Sequence, residues 1–360
     1  MVRIVKGLLL AGGHGTRLRP LTFTGNKHVL PIANKPLIMY GLEHLIKAGV
    51  TDIGIILGPV KEGIKELLGD GSKFGARITY IDQPEPKGLS HVISISQDFL
   101  GKDPFAMYLG DNMLRQGAKP LVDIFEKDGC DCVVGVAKVK DPKMFGVAIL
   151  GEDGKIKKLV EKPKQPVSDW ALIGVYVFNA KIFGAIEKIK PSWRGELEIT
   201  DAIQVLIDSG AKVNVHFVQG WWKDTGKPED LLEANQLVLQ ELRDLNNGTI
   251  EDGATIMGNV QIGKGSKIYS KTTIRGPVII GEHCEIGPNT YIGPYTSIGN
   301  DITIRNSEVE NSIVMEGAYI DCGKRIIDSL IGTKAKIISS ENNVPKGIKL
   351  ILGDMTYVNI

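Results

Sequence analysis

The chain has 360 residues, of which 42% are hydrophobic and 24% are charged, and its 43 basic and 42 acidic residues give a formal net charge of +1. This length fits two domains, and this composition excludes disorder as a description of the whole chain. The near-neutral charge provides no overall field to attract nucleic acid or an anionic membrane, so we expect neither as a partner.

The first predicted element is a buried strand in the apolar run "IVKGLLLAGG" at residues 4–13. The run is interrupted by Lys6 and reaches glycine too early for a signal or membrane segment. The four cysteines of the chain form no CxxC pair and are too scattered for a disulfide framework or a zinc site. These features predict a cytoplasmic protein.

Short apolar strands then alternate with amphipathic helices up to residue 245. The strand candidates are "KGLLLAG", "DIGIILG", "RITYID", "FAMYLGD" and "DCVVGVAKV", and helical spacing marks "PLIMYGLEHLIKAG" and "HVISISQDFLG". This alternation predicts an α/β domain with a Rossmann-like, mostly parallel sheet and crossover helices.

A further helix is predicted in "KPEDLLEANQLVLQELRDLNNG", at residues 227–248. Pro228 and acidic residues occupy its first turn, and the Asn-Asn-Gly sequence is expected to end it. One face would carry Leu231, Ala234, Val238, Leu242 and Leu245. We expect this helix to lead into the next domain.

From residue 250 an isoleucine recurs every six residues as far as Ile304, ten times in phase, and glycine often follows it. This hexapeptide pattern is typical of a left-handed parallel β-helix, in which stacked isoleucines form the interior. The pattern weakens after Asn306, and the tail "GIKLILGDMTYVNI" is expected to form a final imperfect coil and cap. We therefore predict a catalytic domain at residues 1–245 and a β-helix domain at residues 246–360.

The glycine-rich segment "AGGHGTRLRP" follows the first predicted strand, where ligands bind in parallel sheets. It lacks the third glycine of the dinucleotide fingerprint, which argues against a nicotinamide dehydrogenase, and it lacks the lysine of a Walker loop. Its backbone N–H groups could still hold an anion, with Arg17 supplying positive charge. A tight turn followed by a surface arginine explains the segment equally well.

Six motifs in order resemble the sugar-1-phosphate nucleotidyltransferases. They are "GGHGTRLRPLT", "NKHVLPIANKPLI", "LGDN", "VEKPK", "GELEITD" and "WWKDTG", and they span essentially residues 1–245. The resemblance is greatest to the glucose-1-phosphate thymidylyltransferases, in particular to the long form with a C-terminal β-helix. It implies in-line attack of a sugar phosphate oxygen on the α-phosphorus of a nucleoside triphosphate, with release of pyrophosphate.

The resemblance also assigns roles to individual residues. Catalysis falls to Arg17, Lys27, Asp111 and Lys162, because two polyanions must be joined and the charge of the transition state stabilised. Asp111 and Asp224 would be the ligands of a magnesium ion. The nucleotide-binding residues would be Leu10, Ala11, Gly12, Gly13, Gly15, Thr16, Arg17, Lys27, Gln83, Gly88 and Asp111; the sugar-phosphate-binding residues would be Gly146, Glu161, Lys162, Gly174 and Tyr176.

Base selection is left open between dTTP and UTP. The Gln83 amide can pair with the imide edge of either thymine or uracil. His28 stands where many short-form relatives carry glutamine, and Phe145 stands where tyrosine is frequent. Glu196, Glu198 and Asp201 are expected to be mainly loop and helix-cap residues, with a contact to the sugar as a second role.

Two alternatives to a simple transferase are weighed against the residues. A bifunctional enzyme with acyltransferase activity would need a base on the β-helix, where His283 is the sole histidine. A non-catalytic regulatory paralogue should have lost at least one of the charged residues that the reaction needs, yet all five are present: Arg17, Lys27, Asp111, Lys162 and Asp224. For the β-helix we expect a structural role in forming a homo-oligomer.

Overall fold

A computed structural model describes residues 5–61, 63–339 and 354–358. It divides into two compact units that are interleaved along the chain. The first unit comprises Met1–His14, Gly25–Val29 and Leu37–Asp224, and the second comprises Gly15–Thr24, Leu30–Pro36 and Thr225–Ile360.

Thirteen strands and eight helices precede the repeat region among the described residues. The strands are β1 (Lys6–Ala11), β2 (Pro31–Ile32), β3 (Lys35–Pro36), β4 (Asp52–Leu57), β5 (Arg77–Asp82), β6 (Phe105–Leu109), β7 (Asn112–Leu114), β8 (Cys132–Lys138), β9 (Gly146–Leu150), β10 (Ile156–Glu161), β11 (Trp170–Phe178), β12 (Val213–Phe217) and β13 (Trp222–Asp224). The helices are α1 (Leu37–Lys47), α2 (Ile64–Leu68), α3 (Leu89–Ile95), α4 (Gln97–Leu100), α5 (Lys119–Asp128), α6 (Lys181–Ile186), α7 (Ile199–Asp208) and α8 (Pro228–Leu239).

The main sheet of the first unit runs in the order β5-β4-β1-β6-β11-β8-β12, and the β9–β10 hairpin joins it alongside β11. The pairs β1–β4, β1–β6, β4–β5 and β8–β12 are parallel, whereas β11 is antiparallel to both β6 and β8. This confirms the predicted Rossmann-like, mostly parallel sheet. Strand β5 is more exposed than predicted because it lies at the edge of the sheet.

The sheet is buried on both faces, so its strands read as nearly continuous apolar runs. In β1, Leu9 and Ala11 belong to one hydrophobic core, whereas Leu8 and Leu10 belong to another. This alternation follows from the two-residue period of a strand. Because β1 and β6 lie side by side and are parallel, their carboxyl ends meet at one edge of the sheet. The glycine segment and Asp111 both follow at that edge.

Helix α8 ends earlier than the sequence predicted. It begins at Pro228 and ends at Leu239, so Leu242 and Leu245 lie outside it. The Leu242 carbonyl accepts a hydrogen bond of 3.0 Å from the Asn259 amide, and Leu245 starts the first strand of the repeat region. Pairing with the next coil thus ends the helix before the Asn-Asn-Gly sequence.

Seventeen short strands of the second unit form three parallel sheets. The strands are β14 (Leu245–Asn246), β15 (Thr249–Ile250), β16 (Thr255–Met257), β17 (Val260–Ile262), β18 (Lys267–Ile268), β19 (Thr272–Arg275), β20 (Val278–Ile280), β21 (Glu285–Ile286), β22 (Thr290–Ile292), β23 (Thr296–Ile298), β24 (Thr303–Arg305), β25 (Glu308–Glu310), β26 (Ile313–Val314), β27 (Tyr319–Asp321), β28 (Arg325–Ile327), β29 (Leu330–Ile331) and β30 (Lys336–Ile338). Every third strand belongs to the same sheet, which is the arrangement of a three-sided β-helix.

The isoleucine repeat sets the register between coils. Ile268 pairs with Ile286 and Ile286 with Ile304, and all three side chains are fully buried. Further along, Ile298 pairs with Val314, so the later coils are shorter, as the weakened pattern indicated. The predicted left-handed β-helix is confirmed as the fold class. The predicted cap falls largely outside the described residues, of which the tail contributes only 354–358.

Replacing Ile286 by alanine should destabilise the β-helix by about 2–5 kcal/mol, because it leaves a cavity between two stacked isoleucines. The matched control is Ile327→Ala, since Ile327 lies on the same β-helix but is 53% exposed. Its effect should stay within about 0.5 kcal/mol. Denaturant unfolding followed by far-UV circular dichroism measures both, and equal effects would show that Ile286 is not a core residue.

Candidate active site

The glycine segment after β1 makes close contacts that a larger residue would block. A Cβ atom at Gly12 would lie 2.8 Å from Oε1 of Gln83, and one at Gly13 would lie 3.0 Å from Cε of Lys27. At Gly58 a Cβ would lie only 2.3 Å from the Gly12 carbonyl oxygen. Glycine is therefore required at Gly58, where a side chain would meet backbone, whereas at Gly12 and Gly13 a side chain would displace the ends of Gln83 and Lys27.

A cleft of about 230 Å³ opens at this edge of the sheet, within the first unit. It is lined by Leu10, Gly12, Gly13, Lys27, His28, Gln83, Pro86, Gly88, Leu89, Val92, Leu109, Asp111 and Glu196. Seven predicted nucleotide-binding residues are thus brought together, whereas Ala11 is fully buried in β1. Sequence reasoning missed the apolar lining at Pro86, Leu89 and Val92, although these residues closely follow Gln83 in the chain.

Lys27 and Asp111 form an ion pair in this cleft, and both side chains are largely sheltered from solvent. Asn26 holds the segment that carries Lys27, because its amide donates to the carbonyls of Ala11 and Val60 at 3.2 and 2.5 Å. The second Asp111 oxygen accepts a hydrogen bond of 3.0 Å from the Asn112 amide. Burial is the largest single influence and would raise the pKa of Asp111, but the Lys27 charge, the neighbouring His28 and the hydrogen bonds from Lys27 and Asn112 together hold that pKa below its usual range.

His28 contributes a neutral ring rather than a charge. It is buried, and burial together with the neighbouring Lys27 charge lowers its pKa to about 3. Its Nδ1 lies 2.6 Å from Oδ1 of Asn26. A Cβ at Gly110 would come within 3.0 Å of the ring, so this glycine makes room for His28 beside Asp111.

Asn112 connects the two predicted metal-binding carboxylates to the sheet. Its Oδ1 accepts hydrogen bonds from the Gly174 backbone N–H at 3.1 Å and from Trp222 Nε1 at 2.7 Å. In the antiparallel pair of β7 and β13, Asp224 lies opposite Asn112, the residue that follows Asp111. The structure thus places Asp111, in the turn before β7, one residue from the strand position opposite Asp224. At Gly174 a Cβ would lie 2.7 Å from Cγ of Asn112, which explains the glycine.

A second group of predicted residues lies around the end of β10. Glu161 is opposite Gly146 in the β9–β10 pair, and its Oε2 accepts a hydrogen bond of 3.2 Å from the Thr200 hydroxyl. A Cβ at Gly146 would lie 2.7 Å from the Thr200 methyl and 3.1 Å from Glu161. Burial, and then the charge of Glu198, raises the pKa of Glu161.

Lys162 adopts a strained backbone conformation. Its φ of 39° is left-handed, and proline follows directly, which further restricts the backbone. Its N–H donates to the Phe145 carbonyl at 3.0 Å, and the Phe145 ring packs edge-on against Trp222 at 5.3 Å. Such strain clusters at functional sites, because the surrounding structure must hold it.

Arg194 is a site residue that sequence reasoning missed. Its guanidinium lies 3.6 Å from Glu161, 2.7 Å from Glu196 and 3.3 Å from Glu198. Glu198 precedes α7 but makes no side-chain cap, so its predicted capping role is wrong; instead it binds the Ser192 hydroxyl at 2.8 Å and Arg194. The one indication of this cluster in the sequence is that Arg194 stands next to the carboxylates of the motif "RGELEITD".

Tyr176 lies in the hydrophobic core of the first unit. It is 3% exposed and stacks on Phe178, with ring centroids 5.9 Å apart. Burial raises the pKa of its hydroxyl, and the charge of Glu161 raises it further. A contact between Tyr176 and the sugar stays a prediction.

The remaining predicted nucleotide-binding residues belong to the second unit. Gly15 has a left-handed φ of 63°, and its carbonyl accepts a hydrogen bond of 2.7 Å from the Thr22 hydroxyl. Thr16 and Arg17 follow in a 3-10 helix and are exposed. A Cβ at Gly226 would lie 2.8 Å from Nη2 of Arg17, so Gly226 makes room for that guanidinium. Contacts of Thr16 and Arg17 with a nucleotide stay predictions.

A glycine-lined cleft at the carboxyl ends of parallel strands, with a sheltered lysine and carboxylate, is the arrangement of an α/β enzyme that binds nucleotide phosphates. The chain belongs to the nucleotidyl transferase family, which it matches over residues 6–241. Residues 274–358 match the GMPPB C-terminal domain. The family resemblance predicted from the six motifs is confirmed.

The chain is similar to several named proteins and to proteins of known structure. The chain is 46% identical, over 99% of its length and 100% of the relative's, to the low-salt glycan biosynthesis nucleotidyltransferase Agl11 of Haloferax volcanii. It is 44% identical to a glucose-1-phosphate thymidylyltransferase of Streptomyces griseus, over 99% of each chain. A solved structure of UDP-glucose pyrophosphorylase with UDP-glucose is 28% identical with a TM-score of 0.59, covering 66% of this chain and 99% of the other.

Within the described residues, no helix is both long and apolar enough to cross a membrane. All four cysteines are free thiols, and all are buried.

Proposed function

We propose that this chain transfers a nucleotidyl group from a nucleoside triphosphate, preferably dTTP, to glucose 1-phosphate, releasing pyrophosphate and forming a nucleotide sugar. The observation that carries this proposal is the Lys27–Asp111 pair in a glycine-lined cleft at the carboxyl ends of β1 and β6. The names of the Streptomyces relatives, which match nearly the whole chain, support the same reaction.

In this reaction an oxygen of the sugar phosphate attacks the α-phosphorus, and the bond from that phosphorus to the bridging oxygen of pyrophosphate breaks. Lys27, Arg17 and the backbone N–H groups of the glycine segment would neutralise the triphosphate. Lys162 would hold the sugar phosphate. The protein thereby lowers the barrier by positioning two anions and stabilising the charge that develops between them.

The residues present fit a magnesium ion. Asp111, in the turn before β7, and Asp224, on β13 opposite Asn112, would supply two carboxylates, and among the described residues no group of three or more His, Cys, Asp or Glu side chains could hold a metal ion. Two carboxylates plus substrate oxygens and water match the preference of Mg²⁺ for oxygen ligands and a partial hydration shell. Magnesium held there would neutralise phosphate charge.

Glu161 would accept hydrogen bonds from the hydroxyls of the hexose. Its position supports this role, because Thr200 and Arg194 fix the carboxylate beside Gly146. Its raised pKa follows from burial, as expected for a carboxylate set in a pocket for a neutral sugar.

UTP is the second candidate donor, because Gln83 lines the cleft with an amide that suits the imide edge shared by thymine and uracil. We expect pyrophosphate release from glucose 1-phosphate and magnesium to be fastest with dTTP, slower with UTP, and at background with ATP, GTP and CTP. Each triphosphate is assayed separately on the folded chain. No turnover with any of them, and none with other hexose 1-phosphates, would exclude the transferase activity.

We also propose a cytoplasmic homo-oligomer in which the β-helix provides the contact. Four free buried thiols support a reducing location, and exposed apolar side chains on the β-helix, such as Ile250 and Met257, support a contact surface. His283 sits at a coil corner with a left-handed φ of 56°, and a Cβ at Gly265 would lie 2.5 Å from its Nδ1. This packing favours a structural role for His283 over that of an acyltransferase base.

A further inference from the structure

The second unit contains more than the β-helix and α8. It also includes residues 15–24, which carry Thr16 and Arg17, and residues 30–36, which form the β2–β3 hairpin. These two segments flank residues 25–29 in the chain, and only three residues separate Lys27 from Pro31. Two segments adjoining Lys27 in sequence are thus packed with the C-terminal part of the chain.

Asn235 on α8 lies at the centre of this packing. It is fully buried, and its Oδ1 accepts hydrogen bonds from the Ala33 backbone N–H at 2.9 Å and from the Ser297 hydroxyl at 2.5 Å. Its Nδ2 donates to the Tyr295 carbonyl at 2.9 Å. One buried amide therefore joins the hairpin, the helix and a coil of the β-helix, and removing it would leave buried polar groups unsatisfied.

The hairpin is held in a conformation that needs support. Ala33 and Asn34 both have left-handed φ values, of 46° and 61°, as a two-residue turn between antiparallel strands requires. Asparagine tolerates this conformation, but alanine is strained in it. The Asn235 contact to the Ala33 N–H, together with a hydrogen bond of 2.6 Å from Asn34 to the Ile298 carbonyl, holds the strained turn on the β-helix.

Residues 15–24 are packed in the same unit. Arg17 lies against Gly226, just before α8, and Leu21 lies beside Gly332 in a late coil of the β-helix. Both segments that flank residues 25–29 therefore lie against the C-terminal part of the protein.

We propose that Asn235 is a positioning residue for the triphosphate site, through which the β-helix holds the β2–β3 hairpin and hence the chain around Lys27. The β-helix then supports the hairpin that follows Lys27 in the chain, in addition to any role in assembly. The kinetic effect that this inference predicts rests on the proposed function.

The test compares Asn235→Ala with Gln236→Ala in the full-length chain. Gln236 is the next residue on α8, and its amide also binds the β-helix, donating a hydrogen bond of 2.7 Å to Oδ1 of Asn311 rather than to the hairpin. We expect Asn235→Ala to lower kcat/KM for the triphosphate about 10–100-fold, because small displacements of a phosphate-binding group are costly. KM for the sugar phosphate should change little, and Gln236→Ala should resemble the parent chain in both respects.

A merely structural role would give a different result. Partial unfolding lowers the active fraction and so kcat, but leaves both KM values unchanged; that outcome, or an equal effect of Gln236→Ala, would overturn the proposal. Hydrogen exchange provides a readout independent of activity. The backbone amides of residues 25–36 should exchange faster in Asn235→Ala than in the parent chain, and at the parent rate in Gln236→Ala. Unchanged exchange refutes the positioning role, whereas absent turnover in the parent chain refutes only the proposed function.

Discussion

Asp111→Asn should lower kcat by about 10²–10³-fold, comparable to the loss of one transition-state stabilising group. The substitution keeps the size of the side chain and an oxygen that can accept the Asn112 hydrogen bond, but it removes the negative charge beside Lys27. A neutral amide is a poor ligand for a magnesium ion that would rely on only two carboxylates from the protein. The fold should persist, because only the charge changes.

Steady-state kinetics over a range of magnesium concentrations measures this effect. The matched control is Asp123→Asn, since Asp123 also pairs with a lysine, Lys119, but on the exposed surface of α5. Such exposed pairs contribute little, so the control should keep its rate. If Asp111→Asn retained a rate within about threefold of the parent chain, when loss of a single donor costs about 10²-fold or more, Asp111 would not be a metal ligand.

The sequence was informative wherever one local pattern determined the structure. The isoleucine repeat predicted the β-helix because each coil is stabilised by the same residue type one coil further on, as in Ile268 and Ile286. The apolar runs predicted the central strands because a parallel sheet is buried on both faces. Asp111 was predictable from its motif, and its place after β6 follows from the strand that precedes it.

The sequence did not predict contacts between residues that are far apart in the chain. The contact of Arg194 with Glu161 and the position of Asn235 between Ala33 and Ser297 depend on tertiary contacts that no local pattern records. The end of α8 was missed for the same reason, since Leu242 bonds to the coil that follows it. The backbone strain at Lys162 could not be predicted either, because nothing about a lysine residue in the sequence indicates that its φ is left-handed.

Lys27→Met should reduce kcat/KM for the triphosphate by about 10²–10³-fold, because it removes a sheltered positive charge from the phosphate site. It should also lower the free energy of unfolding, since Asp111 then loses its charged partner in a largely buried position. The control is Lys61→Met: Lys61 pairs with Asp82 at 2.8 Å on the surface, and its loss should be nearly neutral.

The double variant Lys27→Met/Asp111→Asn separates the two effects of the pair. Its stability should exceed that of Lys27→Met, because the uncompensated carboxylate is gone. Its activity should fall little below that of the worse single variant, since under the proposed function both side chains would act on the same phosphate group and their losses would not be additive. Denaturant unfolding and steady-state kinetics on the four proteins measure this cycle. The opposite outcome is that the two losses of activity multiply and that the double variant is no more stable than Lys27→Met. The two residues would then be acting independently, and the ion pair would not be the functional unit of the cleft.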